Sequence, residues 1–129
     1  MITVTCAVIR HRGRMLACRR SSAMAQPLKW EFPGGKVEPG EDEAEAIVRE
    51  IREELDLEIE VVARLDPVEY DYPDFRIRLI PFTARLTGGS LRLAEHTDAR
   101  WVSTAELKQL DWAPADLPIV ERLCAAESD

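Results

Sequence analysis

Hydrophobic and polar residues alternate in the first part of the chain with the two-residue period of β-strands. Residues 2–10 alternate and are rich in Val, Ile and Thr, a charged turn at 11–14 follows, and a second apolar run covers 15–18. Because successive side chains of a strand point to opposite faces, this pattern predicts a pair of strands. Residues 30–32 predict another short strand, which ends at Pro33-Gly34-Gly35, where glycine permits close approaches that a side chain would prevent.

The hydrophobic period changes to that of a helix between residues 42 and 56. Ile47, Ile51 and Leu55 recur every four residues, and acidic residues fill the first turn, where the helix dipole favours negative charge. The pattern predicts an amphipathic helix with one apolar face against a core.

The second half of the chain returns to strand patterning and ends in helices. Strands are predicted over residues 58–65, 68–72, 76–86 and 91–94. The spacing of Ser103 and Glu106 is that of a capping box and predicts a short helix, and a last helix is predicted after Pro114. Several strands with a few helices predict an α/β fold, a mixed sheet sandwiched between helices, in a single domain over residues 1–129.

Composition and charge narrow the classes of partner. With 129 residues, 46% of them hydrophobic, the chain is long enough to bury one core. Its formal net charge of -7 argues against a nucleic acid polymer as partner, because such binding depends on Lys and Arg. The three cysteines form no CxxC pair and are predicted to be buried thiols, and the apolar runs are too short for a membrane span. We therefore expect a cytoplasmic protein, either a monomer or a homodimer.

The acidic helix carries the candidate chemistry. At about 100° per residue, Glu50, Glu53 and Glu54 fall on one side of this helix, beside its apolar face. Like charges at this spacing repel by about 0.2–0.5 kcal/mol per pair, so the cluster needs a cation, and carboxylate ligands suit Mg²⁺ or Mn²⁺. Arg49 is placed to hold a carboxylate through a bidentate contact, and Glu41 to support it. The alternative is an ordinary solvated helix with surface salt bridges.

The glycine turn and the helix together resemble a family signature. Gly35, five residues, Glu41, seven residues and then Arg49-Glu50-Ile51-Arg52-Glu53-Glu54-Leu55-Asp56-Leu57 resemble the Nudix box, the signature of hydrolases that act on a nucleoside diphosphate linked to another group. One position departs from the pattern, because Asp56 stands where the family has glycine. Since Asp tolerates left-handed backbone better than most residues, we expect an altered loop geometry rather than lost catalysis.

This resemblance implies a metal site and a set of catalytic residues. The implied metal ligands are Glu50, Glu53, Glu54 and a backbone carbonyl of Gly34 or Gly35. Mg²⁺ is the expected cofactor, with Mn²⁺ as the alternative. By the same resemblance Glu53 and Glu54 are catalytic, supported by Arg49, and the cation neutralises phosphates and activates a water for attack on phosphorus.

Beyond the box, the chain resembles the MutT-like branch of the family, which hydrolyses nucleoside triphosphates to a monophosphate and pyrophosphate. The matching stretches are Arg19-Arg20, residues 30–36, Tyr70-Asp71-Tyr72-Pro73-Asp74, Glu95 before Trp101, and Pro114-Ala115-Asp116-Leu117-Pro118. They imply nucleotide contacts from Arg20, Phe32, Asp74 and Asp116, with Glu95 as a further metal ligand or a base. Phe32 in the core, Arg20 at a solvated strand end and Glu95 as an ordinary loop acid are the simpler alternatives.

Asp116 is the most informative departure from MutT itself, which has asparagine at this position, whereas a MutT relative that prefers CTP and 5-methyl-dCTP has a similar ending with aspartate. An amide both donates and accepts hydrogen bonds, whereas an ionised carboxylate only accepts. Asp116 therefore suits an exocyclic amino group, as on cytosine or guanine, and would repel a carbonyl unless it were protonated in a dry pocket. A role as a helix cap is the alternative.

The expected function is that of a Mg²⁺-dependent nucleoside triphosphate pyrophosphohydrolase that sanitises the nucleotide pool in support of DNA repair. The first expected substrate is 8-oxo-dGTP, and CTP or 5-methyl-dCTP is the alternative. Hydrolysis of ADP-ribose-type substrates and a non-catalytic nucleotide-binding module are further alternatives.

Overall fold

The computed structural model describes residues 1–128 and has eight strands and three helices. In chain order these elements are β1 (Ile2–His11), β2 (Arg14–Arg19), β3 (Trp30–Glu31), β4 (Gly34–Lys36), α1 (Glu43–Leu55), β5 (Leu57–Arg64), β6 (Val68–Tyr72), β7 (Phe75–Gly89), β8 (Asp98–Val102), α2 (Thr104–Leu107) and α3 (Leu117–Ser128). A 3₁₀ turn, Pro114–Asp116, precedes α3. Within these residues, no helix is long and apolar enough to cross a membrane.

All eight strands join one mixed sheet. Its main path runs β3-β2-β1-β7-β5, with β4 paired to β1, β6 to β7 and β8 to β2. β1 and β7 run parallel in the middle, with Ile2 opposite Ile77 and Arg10 opposite Arg85. The other strand pairs are antiparallel. The predicted mixed sheet is confirmed.

Alternation along β1 gives the sheet two buried faces. Cys6 and Val8 belong to a hydrophobic cluster that includes residues of α2 and α3, whereas Ala7 and Ile9 belong to a cluster that includes the apolar stripe of α1. Helices therefore cover both faces, and the predicted α/β/α sandwich is confirmed. The three cysteines are buried free thiols, as predicted.

Two aspartates delimit α1. Asp42 precedes the helix, and its side chain accepts a hydrogen bond from the Glu45 N–H over 3.1 Å. Asp56 follows the helix with a φ of 57°, and its N–H donates to the Arg52 carbonyl. Asp56 thus adopts the left-handed conformation that an aspartate tolerates, so the helix ends where the sequence predicts.

The predicted strand over residues 91–94 is wrong. These residues belong to an irregular segment between β7 and β8, and both leucines within it, Leu91 and Leu93, are exposed. The backbone N–H groups of Arg92 and Ala94 donate to the carbonyls of Leu55 and Glu54 at the end of α1. The last carbonyls of a helix need partners, and they compete successfully for the N–H groups that a strand would have used.

The glycine turn is a place of close approach, not of unusual backbone angles. In β4, Gly34 lies opposite Cys6 and Gly35 opposite Thr5 on β1. A Cβ on Gly34 would lie 2.7 Å from the Cys6 Cα and against the Thr5 carbonyl, and a Cβ on Gly35 would overlap the Glu50 carboxylate. Neither glycine has a positive φ. Only a residue without a side chain lets β4 lie between β1 and α1.

We predict that Gly34→Ala lowers the free energy of unfolding by about 1–3 kcal/mol, because the added methyl group meets backbone that cannot rotate away. Gly88→Ala is the matched control, since Gly88 is also in a strand and its Cβ would make an ordinary contact of 3.8 Å with Glu58. Chemical denaturation without divalent cations measures both. Equal stability of the two variants would contradict the close-approach argument.

Candidate active site

One cavity of about 250 Å³ collects most of the predicted site residues. The predicted residues that line it are Arg20, Phe32, Gly34, Gly35, Glu54, Glu95 and Asp116. The predicted residues that do not line it are Arg49, Glu50, Glu53 and Asp74. The glycine turn, α1, the segment between β7 and β8 and the 3₁₀ turn before α3 thus all contribute residues to one cavity.

Arg49 on α1 organises the carboxylates beside this cavity. Its Nε and Nη2 donate to the two carboxylate oxygens of Glu41 over 2.7 and 2.9 Å, the bidentate contact that the sequence predicts. Its Nη1 donates to Glu50 over 2.9 Å and to Glu53 over 3.1 Å. The hydrogen bonds from Arg49 lower the pKa of Glu41 to about 2, and those to Glu41 and Glu50 raise the pKa of Arg49. One guanidinium therefore hydrogen-bonds to three glutamates and offsets part of their negative charge.

Glu50 and Glu54 differ from Glu53 in burial. The Glu53 side chain is 58% exposed and the Glu50 side chain 13%. Burial raises the pKa of Glu50, against the opposing effect of Arg49. Burial also raises the pKa of Glu54, with a further increase from the Glu95 charge and a decrease from His96. Both carboxyls are thus easier to protonate than ordinary glutamates, and a nearby positive charge would favour their ionised forms.

The residues around Glu54 fit a divalent cation in their chemistry. Glu54 Oε2 is buried without a hydrogen-bond partner in residues 1–128, although a buried carboxylate oxygen normally has one. Glu50 packs on the open face of Gly35, so a carboxylate and the glycine-turn backbone lie together. Oxygen ligands of this kind suit Mg²⁺ and Mn²⁺.

The predicted carboxylate ligands do not form a metal-binding cluster in this structure. Across the described part of the chain, no three His, Cys, Asp or Glu side chains are arranged so that they could hold a metal ion. The predicted joint site of Glu50, Glu53, Glu54 and Glu95 is therefore not assembled here, since Glu50 and Glu53 point to Arg49 while Glu54 and Glu95 line the cavity. Their shared role as ligands stays a prediction.

Arg20, Glu31 and His96 form a second polar group on the cavity wall. Arg20 Nη1 donates to Glu31 Oε1 over 2.7 Å, and His96 Nε2 lies 2.8 Å from Glu31 Oε2. The Arg20 side chain is 20% exposed, so the alternative of a solvated strand end does not describe it. Glu31 takes a bond on each of its oxygens and faces the cavity between a cation and an imidazole.

Asp116 is buried in the same wall, with 5% of its surface exposed. Its Oδ2 accepts a hydrogen bond from the Phe32 N–H over 2.9 Å, which leaves Oδ1 for a ligand. Burial raises the pKa of Asp116 well above its usual range, the Glu31 charge adds to this, and the Phe32 N–H and Arg20 oppose it. The residue is the last of the 3₁₀ turn and its side chain bonds to the segment between β3 and β4, so it does not act as a cap for α3.

Phe32 belongs to the core and to the cavity at once. It is 2% exposed, packs on Trp112 with ring centroids 4.7 Å apart, and lines the cavity. The sequence alternatives of core residue and site residue are therefore not exclusive. Asp74, in contrast, lies in the exposed turn between β6 and β7, and its neighbours Tyr72 and Phe75 line the cavity in its place.

The sequence did not single out Glu31, His96, Tyr72 and Phe75 as site residues. Glu31 and His96 stand directly beside predicted residues, Phe32 and Glu95, so their neighbourhood was a usable signal. Tyr72 lies within a matching stretch, but its place at the cavity depends on a distant contact, because its hydroxyl accepts a hydrogen bond from the Ala115 N–H across 43 residues of chain.

We predict that Glu41→Gln destabilises the protein at neutral pH and that this loss disappears in acid. The folded pKa of Glu41, about 2, lies below its unfolded value of about 4.3, so its ionised form stabilises the fold above that value. The stabilisation falls as the pH drops from about 4.3 to about 2. Unfolding measured against pH for both proteins, with exposed Glu121→Gln as control, tests this. A difference that does not depend on pH would contradict it.

Comparisons with known proteins point to one family. Residues 1–123 match the model of the NUDIX domain. The CTP pyrophosphohydrolase of Escherichia coli is 37% identical over 125 residues, which are 97% of this chain and 93% of that protein. The 8-oxo-dGTP diphosphatase of the same organism is 30% identical over 123 residues, 95% of each chain.

Solved structures share the fold over nearly the whole chain. The E. coli ORF135 protein superposes with a TM-score of 0.84 at 36% identity and covers 98% of this chain and 91% of its own. The MutT protein of Methanosarcina mazei superposes with a TM-score of 0.88 at 26% identity, over 99% of this chain and 96% of its own. Nudix hydrolases generally require a divalent metal ion. With the signature on the glycine turn and α1, the matching sandwich fold and the family match over residues 1–123, this chain belongs to the Nudix hydrolase family.

Proposed function

We propose that this protein hydrolyses nucleoside triphosphates to a nucleoside monophosphate and pyrophosphate. The observation that carries the proposal is a single cavity lined by Glu54 and the glycine turn, which suit a cation and phosphates, and by the buried Asp116, which suits a base. Water attacks a phosphorus atom, the phosphoanhydride bond breaks, and the two products carry the oxygen and protons of that water between them.

In this proposal, the phosphates of the nucleotide bind at the glycine turn and α1. Glu50, Glu53 and Glu54, with a carbonyl of Gly34 or Gly35, would hold the cation, which when bound neutralises phosphate charge and makes water more acidic. The Gly35 carbonyl accepts a hydrogen bond from the Thr5 hydroxyl over 3.1 Å, which fixes its direction.

Arg49 and Glu95 have separate parts in this proposal. Arg49 keeps Glu41, Glu50 and Glu53 in place through its guanidinium contacts. Glu95 is exposed and lines the cavity, so it is the residue placed to accept a proton from the attacking water or to add a ligand oxygen.

In this proposal, the base of the nucleotide binds beside Asp116. We propose that cytosine nucleotides are the preferred substrates. When ionised, Asp116 Oδ1 accepts a hydrogen bond from the amino group of cytosine. Among the two E. coli relatives that cover nearly the whole chain, the CTP pyrophosphohydrolase is the more similar.

Oxidised purine nucleotides are the second candidate substrate. Relatives named 8-oxo-dGTP diphosphatase support it, among them a putative one of Mycobacterium tuberculosis that is 43% identical over 89 residues, 68% of this chain and 63% of that protein. The raised pKa of Asp116 also supports it, because a protonated carboxyl donates a hydrogen bond to a purine carbonyl. Action on ADP-ribose and binding without catalysis have no such support.

We further propose Mg²⁺ as the cation, replaceable by Mn²⁺, and free nucleotides in the cytoplasm as substrates in place of nucleic acid polymers. The net charge of -7 supports the exclusion of polymers. Sanitising the nucleotide pool, in support of DNA repair, is the role that such an activity would serve. The protein would act as a monomer or homodimer.

We predict pyrophosphate release from CTP, 5-methyl-dCTP or 8-oxo-dGTP in the presence of Mg²⁺, and its loss after chelation. Glu53→Gln and Glu54→Gln should each lower kcat by about 100-fold, because a ligand of the cation is removed. Glu45→Gln is the matched control, an exposed glutamate on the same helix away from the cavity. No pyrophosphate from any nucleotide with either Mg²⁺ or Mn²⁺ would refute the proposal.

We predict that Asp116→Asn shifts the preference from CTP towards 8-oxo-dGTP, because the amide oxygen can keep the Phe32 contact while the amide nitrogen donates to a carbonyl. In the unaltered protein the ratio of kcat/KM for CTP to that for 8-oxo-dGTP should rise with pH, since Asp116 has a raised pKa and accepts from an amino group only when ionised. In Asp116→Asn this ratio should not change with pH. A falling ratio in the unaltered protein would contradict the assignment.

A further inference from the structure

The segment between β7 and β8 is tied down on both sides of Glu95. On one side, the Ala94 N–H donates to the Glu54 carbonyl at the end of α1 over 3.1 Å. On the other side, the Thr97 N–H donates to the Arg19 carbonyl on β2 over 2.9 Å. His96 lies between these two tethers and follows Glu95 directly.

His96 joins this segment to β3. Its side chain is 3% exposed, and its Nε2 lies 2.8 Å from Glu31 Oε2 on β3. The other oxygen of Glu31 accepts from Arg20 Nη1 over 2.7 Å, and Arg20 Nε donates to the Ala25 carbonyl. A continuous series of contacts therefore runs from the loop after β2, through Arg20 and Glu31, to His96.

The hydrogen-bond role of each His96 ring nitrogen follows from the contact with Glu31. A carboxylate in contact with Arg20 accepts hydrogen bonds, so His96 Nε2 is the donor in this contact. In the neutral ring, Nδ1 is then an acceptor. Nδ1 is buried without a partner in residues 1–128. An apolar side chain would fill the same space without leaving such an atom, so packing alone does not account for a histidine here.

We propose that His96 is a positioning residue, which holds Glu31 and the Glu95 segment together through its Nε2–H so that the nucleotide enters a preformed cavity. The inference rests on the proposed function, because Arg20, Glu31 and Asp116 line the same space. It concerns a contact that neither the Nudix box nor the base-facing Asp116 includes.

Loss of the His96–Glu31 contact would leave both the Glu31 carboxylate and the Glu95 segment less firmly held. Glu31 would retain Arg20 as its partner on one oxygen, while its other oxygen would face the cavity unpaired. The segment carrying Glu95 would lose its side-chain anchor and keep the backbone tethers. Binding the nucleotide would then require both parts to be ordered again, so the main effect is expected in KM.

Two substitutions separate the contact from the bulk of the ring. In His96→Gln, the side-chain amide reaches the position of Nε2 and can donate to Glu31, whereas the shorter amide of His96→Asn cannot. We predict that His96→Asn raises the KM for CTP about tenfold, as expected for loss of one charge-assisted hydrogen bond, with a smaller change in kcat. His96→Gln should recover most of this loss. Equal KM values for the two variants would overturn the proposal.

A double-mutant cycle tests whether His96 acts through Glu31. In the Glu31→Ala background, His96→Asn should add no further increase in KM, because the partner is already absent. Additive effects would overturn the proposal. His11→Asn is the matched control, since His11 is the other of the two histidines and is exposed at the end of β1.

A ring measurement distinguishes failure of this inference from failure of the proposed function. Nitrogen-15 NMR of the two imidazoles should show His96 with its proton on Nε2, exchanging slowly with solvent, whether or not any nucleotide is hydrolysed. In Glu31→Ala this slowly exchanging proton should be lost. An Nε2 without a proton in the unaltered protein would overturn the inference, whereas absence of turnover with the expected ring state would refute only the proposed function.

Discussion

The close approach of the glycine turn to both β1 and α1 is the constraint on which the rest of the structure depends. Gly34 leaves no room for a side chain above β1, and Gly35 leaves none beneath Glu50. Because β4 is pressed between a central strand and the helix, the helix is held at a fixed height over the sheet. The close packing of Gly34 and Gly35 therefore sets the positions of the turn backbone and of the α1 carboxylates relative to each other.

The carboxylates on the two sides of the cavity have different hydrogen-bond partners. On α1, the Arg49 guanidinium donates hydrogen bonds to three glutamates, among them the exposed Glu53 and the nearly buried Glu50. On the other wall, Glu31 is held between Arg20 and His96, and Asp116 is left with a single backbone donor. Buried carboxyls without a full set of partners favour either a proton or a cation, so both sides are prepared to bind a ligand.

Much of the architecture could be predicted from periodicity and end signals. The stripe of α1, its acidic first turn and the capping box of Ser103 and Glu106 all act within a few residues, and each is present in the structure. Residues 91–94 show the limit of such arguments. Their alternation resembles a strand, but their N–H groups bond to the end of α1, which is distant in sequence, and local pattern carries no information about such a partner.

The sequence by itself determined the family, the α/β/α sandwich and the identity of the acidic residues, because a fixed spacing of glycine, arginine and glutamate is a local property of the chain. Only the tertiary structure decided which of these residues share a space. It placed Glu54, Glu95 and Asp116 around one cavity, left Asp74 outside, and brought in Glu31 and His96. The physical reason is that burial and hydrogen-bond partners, which set the charge and direction of each carboxyl, come from segments far apart in the chain.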